Sequence, residues 1–143
     1  MLRQRSKPMF SVRGVCSLVD VNEDKVLKLI QDGSLAWAWN VAVNRKRGHN
    51  RELRVLPAAV ADYMHGRPCK LTWADVFSLL LPDGPIVTSL EIYRMLNVSG
   101  DHLYNLVRAK QIIPCSTWGR GPKGKARFAT VRFIEFLQAR RFP

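Results

Sequence analysis

Residues 10–38, FSVRGVCSLVDVNEDKVLKLIQDGSLAWA, lie without a gap over residues 87–115, VTSLEIYRMLNVSGDHLYNLVRAKQIIPC, and this self-match decides how the chain is read. Apolar residues coincide: Val15 with Ile92, Leu18 with Met95, Val19 with Leu96, Val21 with Val98, Val26 with Leu103, Leu29 with Leu106, Ile30 with Val107 and Leu35 with Ile112. Helix-capping types coincide as well, Ser11 with Thr88, Asn22 with Ser99 and Asp24 with Asp101, each where an apolar-periodic run opens. Further on the match resumes with Arg54 on Arg127, Val55 on Phe128, Val60 on Phe133 and Tyr63 on Phe136, four residues having dropped out of the second copy in between. A length change confined to one place marks a surface loop between paired elements. Two copies of one small unit suit a protein that contacts a long or two-part target.

The second copy is the clearer. Thr88 and Glu91 read as a capping box that opens a short helix running to about Leu96. After the tight turn Asn97-Val98, Ser99 starts a second helix whose apolar face is Leu103, Leu106 and Val107. That is a helix-turn-helix layout, with Val98 as the apolar plug of the turn. Ile112, Ile113 and Trp118 then read as a strand, residues 119–125 as a basic loop and residues 127–129 as the returning strand, together a hairpin or wing. Thr130 is expected to cap a last helix with Val131, Ile134, Phe136 and Leu137 on its apolar face. In the first copy Ser11 and Asn22 cap the two helices. Leu35 to Val43 reads as a strand in which Trp37, Trp39, Val41 and Val43 alternate on one side. Residues 44–51 form the wing turn, Leu53 to Leu56 returns, and Pro57 opens a closing helix toward Met64. Between the copies, Thr72 to Leu81 reads as an amphipathic helix stopped by Pro82-Asp-Gly-Pro85, a packing strut. The expected architecture is mainly α with small two-stranded β-wings, an α+β fold. Its expected division is a first unit at 1–66 with a basic N-terminal arm, a helical connector at 67–85 and a second unit at 86–143.

Charge points to the partner. The 143 residues include 23 Lys and Arg against 11 Asp and Glu, a net charge of +12 and a pI near 10.4. The first unit carries 11 basic and 6 acidic side chains, the connector 2 and 2, and the second unit 10 and 3, so the repeats hold the excess. Such an excess favours a polyanion, and nucleic acid is the commonest one. No apolar run approaches the ~20 residues of a membrane span, and no apolar segment follows Arg3, Arg5 and Lys7 to make a signal peptide. No membrane partner is expected. Cys16, Cys69 and Cys115 are odd in number and lack Cys-x-x-Cys spacing, which fits a reduced cytosolic protein using cysteine as a small hydrophobe. His49, His65 and His102 show no ligand spacing, so no metal is expected. With no phosphate loop and no plausible nucleophile–base set, neither catalysis nor a cofactor is expected.

A helix-turn-helix followed directly by a two-stranded wing and a packing helix resembles the MerR and excisionase group of winged helices. In the second copy the resemblance rests on Val98-Ser99 at the turn, Leu103-Tyr104-Asn-Leu-Val107 in the second helix and Gln111-Ile-Ile-Pro114 at the start of the wing. In the first it rests on Val21-Asn22, Val26 to Ile30 and Asp32-Gly33-Ser-Leu35, and in both on the closing segments Arg54 to Tyr63 and Arg127 to Leu137. The resemblance implies two tandem winged helix-turn-helix units. Transcriptional MerR proteins add a long dimerising helix and an effector domain, and excisionases usually have a single unit with a basic tail. Here the tandem arrangement is expected to stand in for a dimer, with two reading heads on one chain.

In that geometry the second helix of each unit enters the major groove and the wing follows the backbone or minor groove. The expected reading residues of the second unit are Ser99, Gly100, His102, Asn105 and Arg108. Asn105 suits an adenine edge, Arg108 suits guanine or phosphate, and Gly100 allows close backbone approach to a phosphate. Those of the first unit are Asn22, Glu23, Lys25 and Lys28. There Glu23 and Asp24 oppose phosphate, while Glu23 can accept from a cytosine amine, so this head should bind more weakly or more selectively. The competing reading is an ordinary solvated helix face.

The wings concentrate cations, Arg45, Lys46, Arg47 and Arg51 in the first and Arg120, Lys123, Lys125 and Arg127 in the second. Each phosphate they neutralise steepens the salt dependence by roughly 0.9 in log–log slope. Arg54 and Arg127, at matched positions, are open to a structural or a contact role. Arg3, Arg5 and Lys7 are a candidate minor-groove arm, with disorder as the competing reading. Trp37 and Trp39 read as core, and stacking on single-stranded bases would require them exposed.

The expected function is sequence-specific binding of double-stranded DNA, as a mobile-element excisionase-like accessory factor or a small transcriptional regulator. The two adjacent major-groove sites are expected about one helical turn apart, roughly 10 base pairs. The expected setting is bacterial or phage, cytoplasmic and nucleoid-associated, with a recombinase or further copies of the chain as partners on DNA. The alternatives are a packaging or assembly adaptor similar to terminase small subunits, and a non-specific architectural DNA-binding protein. For the adaptor, an exposed apolar face on Thr72 to Leu81 is the discriminating feature.

Overall fold

A computed structural model of the chain describes residues 8–43, 52–116 and 126–142. In chain order its elements are β1 (Phe10–Ser11), α1 (Val12–Val19), α2 (Glu23–Gln31), β2 (Ala38–Asn40), β3 (Leu53–Val55), α3 (Pro57–Met64), α4 (Trp73–Leu80), β4 (Ile86–Thr88), α5 (Ser89–Met95), α6 (Gly100–Arg108), β5 (Arg127–Ala129), α7 (Thr130–Arg140) and β6 (Arg141–Phe142). The protein is a mixed α+β fold with small antiparallel sheets.

Local chemistry starts the helices of both repeats in the same way. Ser11 Oγ accepts from the Gly14 amide at 3.1 Å to cap α1, and Asn22 Oδ1 accepts from the Lys25 amide at 2.9 Å to cap α2. In the second repeat the Thr88 hydroxyl accepts from the Glu91 amide at 3.2 Å while the Glu91 carboxylate accepts from the Thr88 amide at 3.1 Å. Ser99 Oγ accepts from the His102 amide at 3.1 Å and caps α6. Each bond satisfies an amide that the helix geometry leaves without an intrahelical partner. A further reciprocal box, Thr72 with Asp75, opens α4. Because the Asp75 carboxylate accepts from both the amide and the hydroxyl of Thr72, its pKa is held below the ordinary value.

The helices also end alike. Asp20 and Asn97, at matched positions, stand in the left-handed region with φ 57° and 54°, and short polar side chains tolerate that region best after glycine. The next amides, of Val21 and Val98, then reach back to the Cys16 and Tyr93 carbonyls at 3.3 and 3.0 Å. After the second helices the matched residues Gly33 and Lys110 are again left-handed, with φ 86° and 58°.

Sheet register confirms the sequence match independently. Phe10 pairs with Val55 and Ser11 with Arg54, while Val87 pairs with Phe128 and Thr88 with Arg127. These are the pairs that the two segments of the self-match predict, and the length change falls between the two paired segments. Buried positions follow the same correspondence. Val15 and Ile92, Val26 and Leu103, Leu29 and Leu106, Leu35 and Ile112, Val55 and Phe128, and Val60 and Phe133 are all core.

Several expectations about strands are corrected. The segment before each first helix, which carried no strand signal, supplies β1 and β4. The partner of β5 is therefore β4, and residues 112–113 form no strand. Ile112 is a core residue, Ile113 is exposed, and among the described residues the approach to β5 from this side is a single backbone–backbone bond, the Cys115 amide donating to the Arg127 carbonyl at 2.8 Å. Cys115 itself is exposed rather than packed as a small hydrophobe. Trp118 lies outside the described residues. In the first repeat the expected strand from Leu35 to Val43 shortens to β2, because Trp37 takes a left-handed φ of 64° that breaks the extended run. Burial on both sides replaces the expected alternation, since Trp37, Ala38, Trp39, Val41 and Ala42 are all buried.

The inward face of α7 is Phe133, Phe136 and Leu137, and Val131 points to solvent. Thr130 is the first residue of that helix, and its hydroxyl donates to the Gly84 carbonyl at 2.9 Å.

Two compact units result. The first comprises residues 9–70 with 137–143, and the second is built on residues 71–136. Helix α4 thus falls in the second unit and the last seven residues in the first, assignments that the sequence division did not make. In the first unit the strand order is β1-β3-β2-β6, with Trp39 opposite Arg141 and Ala38 opposite Phe142. Its core is Val15, Val26, Leu29, Ile30, Leu35, Ala38, Leu53, Val55 and Val60, flanked by Phe10, Tyr63 and Phe142. Among the described residues no helix is long and apolar enough to cross a membrane.

Candidate nucleic-acid interface

Helix α6 sorts its side chains by period. Leu103 and Leu106 are fully buried, while Asp101, Asn105 and Arg108 are exposed and Tyr104 is half-buried. Positions 101, 104, 105 and 108 follow the i, i+3, i+4, i+7 spacing of one helix face. The Arg108 guanidinium lies over the Tyr104 ring, 5.9 Å from its centroid. Of the other expected reading residues, Ser99 is exposed but occupied as the cap, and Gly100 and His102 are half-buried at the helix start. Asp101 and Tyr104 belong to this face although the sequence reading did not count them among the reading residues. Their spacing to Asn105 and Arg108 was the available signal.

Helix α2 presents the matched face with different chemistry. Asn22, Glu23, Asp24, Lys25 and Lys28 are exposed, and Leu27 stands half-buried where α6 has Tyr104. Glu23 faces Arg13 across 3.9 Å, with both side chains well exposed, a pair of little energetic weight in water. Asn22 is held as the cap. At the far end Asp32 has its pKa lowered by hydrogen bonds from Ser34, whose amide donates at 2.8 Å, and by the field of Lys25. The α2 face therefore keeps carboxylates at both ends.

The wing residues Arg45, Lys46, Arg47, Arg51, Arg120, Lys123 and Lys125, and the arm residues Arg3, Arg5 and Lys7, lie outside the described residues. Arg127 is described and exposed. Its counterpart Arg54 has the opposite environment. It is buried, with Nη1 donating to the Leu53 carbonyl and Nη2 to Glu52 Oε1, each at 3.0 Å. The residue matching Glu52 in the second repeat is Lys125, so the second repeat has no carboxylate at the equivalent position. Arg54 is thus a structural tie, and the two matched arginines part company. Burial of Trp37 and Trp39 overturns base stacking by either ring.

The sequence reading also missed Arg140 and Arg141. The Arg140 side chain is buried, and its Nη1 donates to the Ala42 carbonyl at 2.6 Å and to the Asn40 carbonyl at 3.2 Å. Arg141 places its guanidinium 3.7 Å from the Trp37 ring centroid, a cation–π contact. Nothing local marks either residue, because both depend on partners about 100 positions away in the chain.

Among the described residues no group of three or more His, Cys, Asp or Glu is placed to hold a metal ion. Compared with known proteins, the chain matches no family model, no curated protein and no solved structure.

Proposed function

We propose that this protein binds double-stranded DNA sequence-specifically through two tandem winged helix-turn-helix units. In this reading α6 is the principal reading helix and α2 a weaker or more selective second one, and the basic wing residues engage phosphates. The observation that carries the reading is the repeated backbone. In each repeat two short helices are joined through a left-handed Asp20 or Asn97, and the second helix buries one face and offers a polar face to solvent. A net charge of +12 supplies the general attraction to phosphate. Asn105 and Arg108 supply side chains that pair bidentately with adenine and guanine edges. The biological role that fits is an excisionase-like accessory factor or a small transcriptional regulator, acting on DNA in the cytoplasm.

Helix α4 buries Val76 and Leu80, and Leu79 is its one large hydrophobic residue exposed, at 47%. Trp73 and Phe77 of the same helix stack at 5.3 Å between ring centroids and are partly buried, so the packaging or assembly adaptor stands as the second reading.

Selection of bound duplexes from a random pool at about 150 mM salt tests the proposal. The expected result is a two-part motif, with one half relaxed in Asn105→Ala and Arg108→Ala by about 1–3 kcal/mol per lost base contact. A pool without enrichment, bound by a protein whose affinity only collapses as salt rises, would replace sequence reading by non-specific architectural binding.

A further inference from the structure

Tyr104 lies on the outward side of α6. Leu103 and Leu106 on either side of it in sequence are fully buried, whereas Tyr104 is half-buried on the face that carries the exposed Asn105 and Arg108. Arg108 stands one turn further along and lays its guanidinium over the ring at 5.9 Å from the centroid. An unsupported arginine on a helix surface samples many rotamers, and holding it in one is an entropic cost that falls on binding. A guanidinium resting on an aromatic face has part of that freedom removed beforehand, while the edge of its planar fork stays open for hydrogen bonds. The first repeat lacks both halves of the device, with Leu27 at the ring position and Gln31 at the arginine position.

We infer that Tyr104 is a specificity-determining positioning residue, holding Arg108 in the orientation that reads a guanine edge. The inference rests on the DNA-binding reading above and adds to it which side chain sets the selectivity of α6. The ring is the active part, so the phenol oxygen is dispensable. A leucine, which is what the first repeat uses, cannot replace it.

The experiment compares wild type, Tyr104→Phe and Tyr104→Leu for binding to the selected duplex. It repeats the comparison on duplexes altered at the base pair whose preference Arg108→Ala abolishes, and thermal unfolding of each variant checks the fold. Tyr104→Leu is expected to lose about twofold to fivefold of the discrimination at that base pair, the range an exposed cation–π contact commands. It should keep the wild-type preference at the Asn105-dependent position and the wild-type salt slope, and Tyr104→Phe should match wild type throughout. Full discrimination in Tyr104→Leu would overturn the positioning role and leave the DNA-binding reading intact. So would equal losses at every position, because those are the mark of a merely structural ring. A wild-type protein that selects no motif would overturn both. If Tyr104→Leu unfolds, Tyr104→Met and Tyr104→Gln, which also remove the ring, take its place with the same expected loss, and full discrimination in a folded one of them overturns the positioning role.

Discussion

Helices α2 and α6 occupy matched places, begin with a capped first turn and end on a left-handed residue, yet their outward faces differ in kind. On α6 the stripe is Asp101, Tyr104, Asn105 and Arg108, and on α2 it is Asp24, Leu27, Lys28 and Gln31. One backbone has been kept and its surface chemistry exchanged. The difference teaches that the repeat is maintained by what faces inward. Val26 and Leu103, or Val15 and Ile92, are interchangeable apolar residues at core positions, and a core accepts such swaps when volume and pattern are preserved. Outward positions carry no such constraint, so function is free to diverge there.

Matched pairs of arginines and one matched backbone position allow the comparison to be broken by substitution. The largest effect is expected at Arg140. Its counterpart Arg67 is exposed and pairs with Asp62 at 3.6 Å, whereas Arg140 is buried against two carbonyls. Arg140→Ala should lower the unfolding free energy by about 2–4 kcal/mol, because charge-assisted bonds vanish and buried acceptors lose a donor. Arg67→Ala should change it by no more than about 0.5 kcal/mol. Urea denaturation of the full chain measures both, and hydrogen exchange at β2 localises the loss. Equal, small effects would show that the Arg140 side chain adds nothing to the first unit's stability.

The next largest concerns Arg54 and Arg127. Arg54→Ala is expected to destabilise by about 1–3 kcal/mol, since it removes a buried guanidinium's charge-assisted bonds to Glu52 and the Leu53 carbonyl, and to leave the salt dependence of DNA binding unchanged. Arg127→Ala should reverse that pattern. Stability stays within about 0.5 kcal/mol, and the slope of log Kd against log salt falls by roughly 0.9 for one lost phosphate contact. A slope unaffected by Arg127→Ala would remove it from the interface.

The smallest test sharpens the equivalence of the backbones. Gly33 and Lys110 share a left-handed conformation, and a Cβ built on Gly33 meets nothing within 4 Å. The only cost of a side chain there is the backbone itself. Gly33→Ala should therefore destabilise by about 1 kcal/mol, and Lys110→Gly should stabilise by about 0.5–1 kcal/mol. Thermal midpoints should move in opposite directions by about 2–4 °C per kcal/mol. Shifts of the same sign would mean that the two turns are not equivalent.

Most of the helical frame was legible in the amino-acid sequence. Ser11, Asn22, Thr88 and Ser99 cap where they were expected to, and the apolar residues of the self-match form the cores. The α6 face was half legible, with Asn105 and Arg108 anticipated and Asp101 and Tyr104 overlooked. The strands were the least legible part. β1 and β6 have two residues each, too short to carry a period-two pattern, and Trp37 interrupts the run that looked most like a strand.

The division follows from range. By itself the sequence determined the repeat, the helix starts and the inward-facing residues, because a cap bonds an amide three residues away and a helix face recurs every three or four residues. Only the tertiary structure decided that β4 rather than residues 112–113 pairs with β5 and that Arg54 is buried where Arg127 is exposed. It alone also decided that the chain's last residues complete the first unit's sheet. Each of these depends on which distant backbone groups stand within hydrogen-bonding reach once the apolar cores have closed, and no local pattern encodes that.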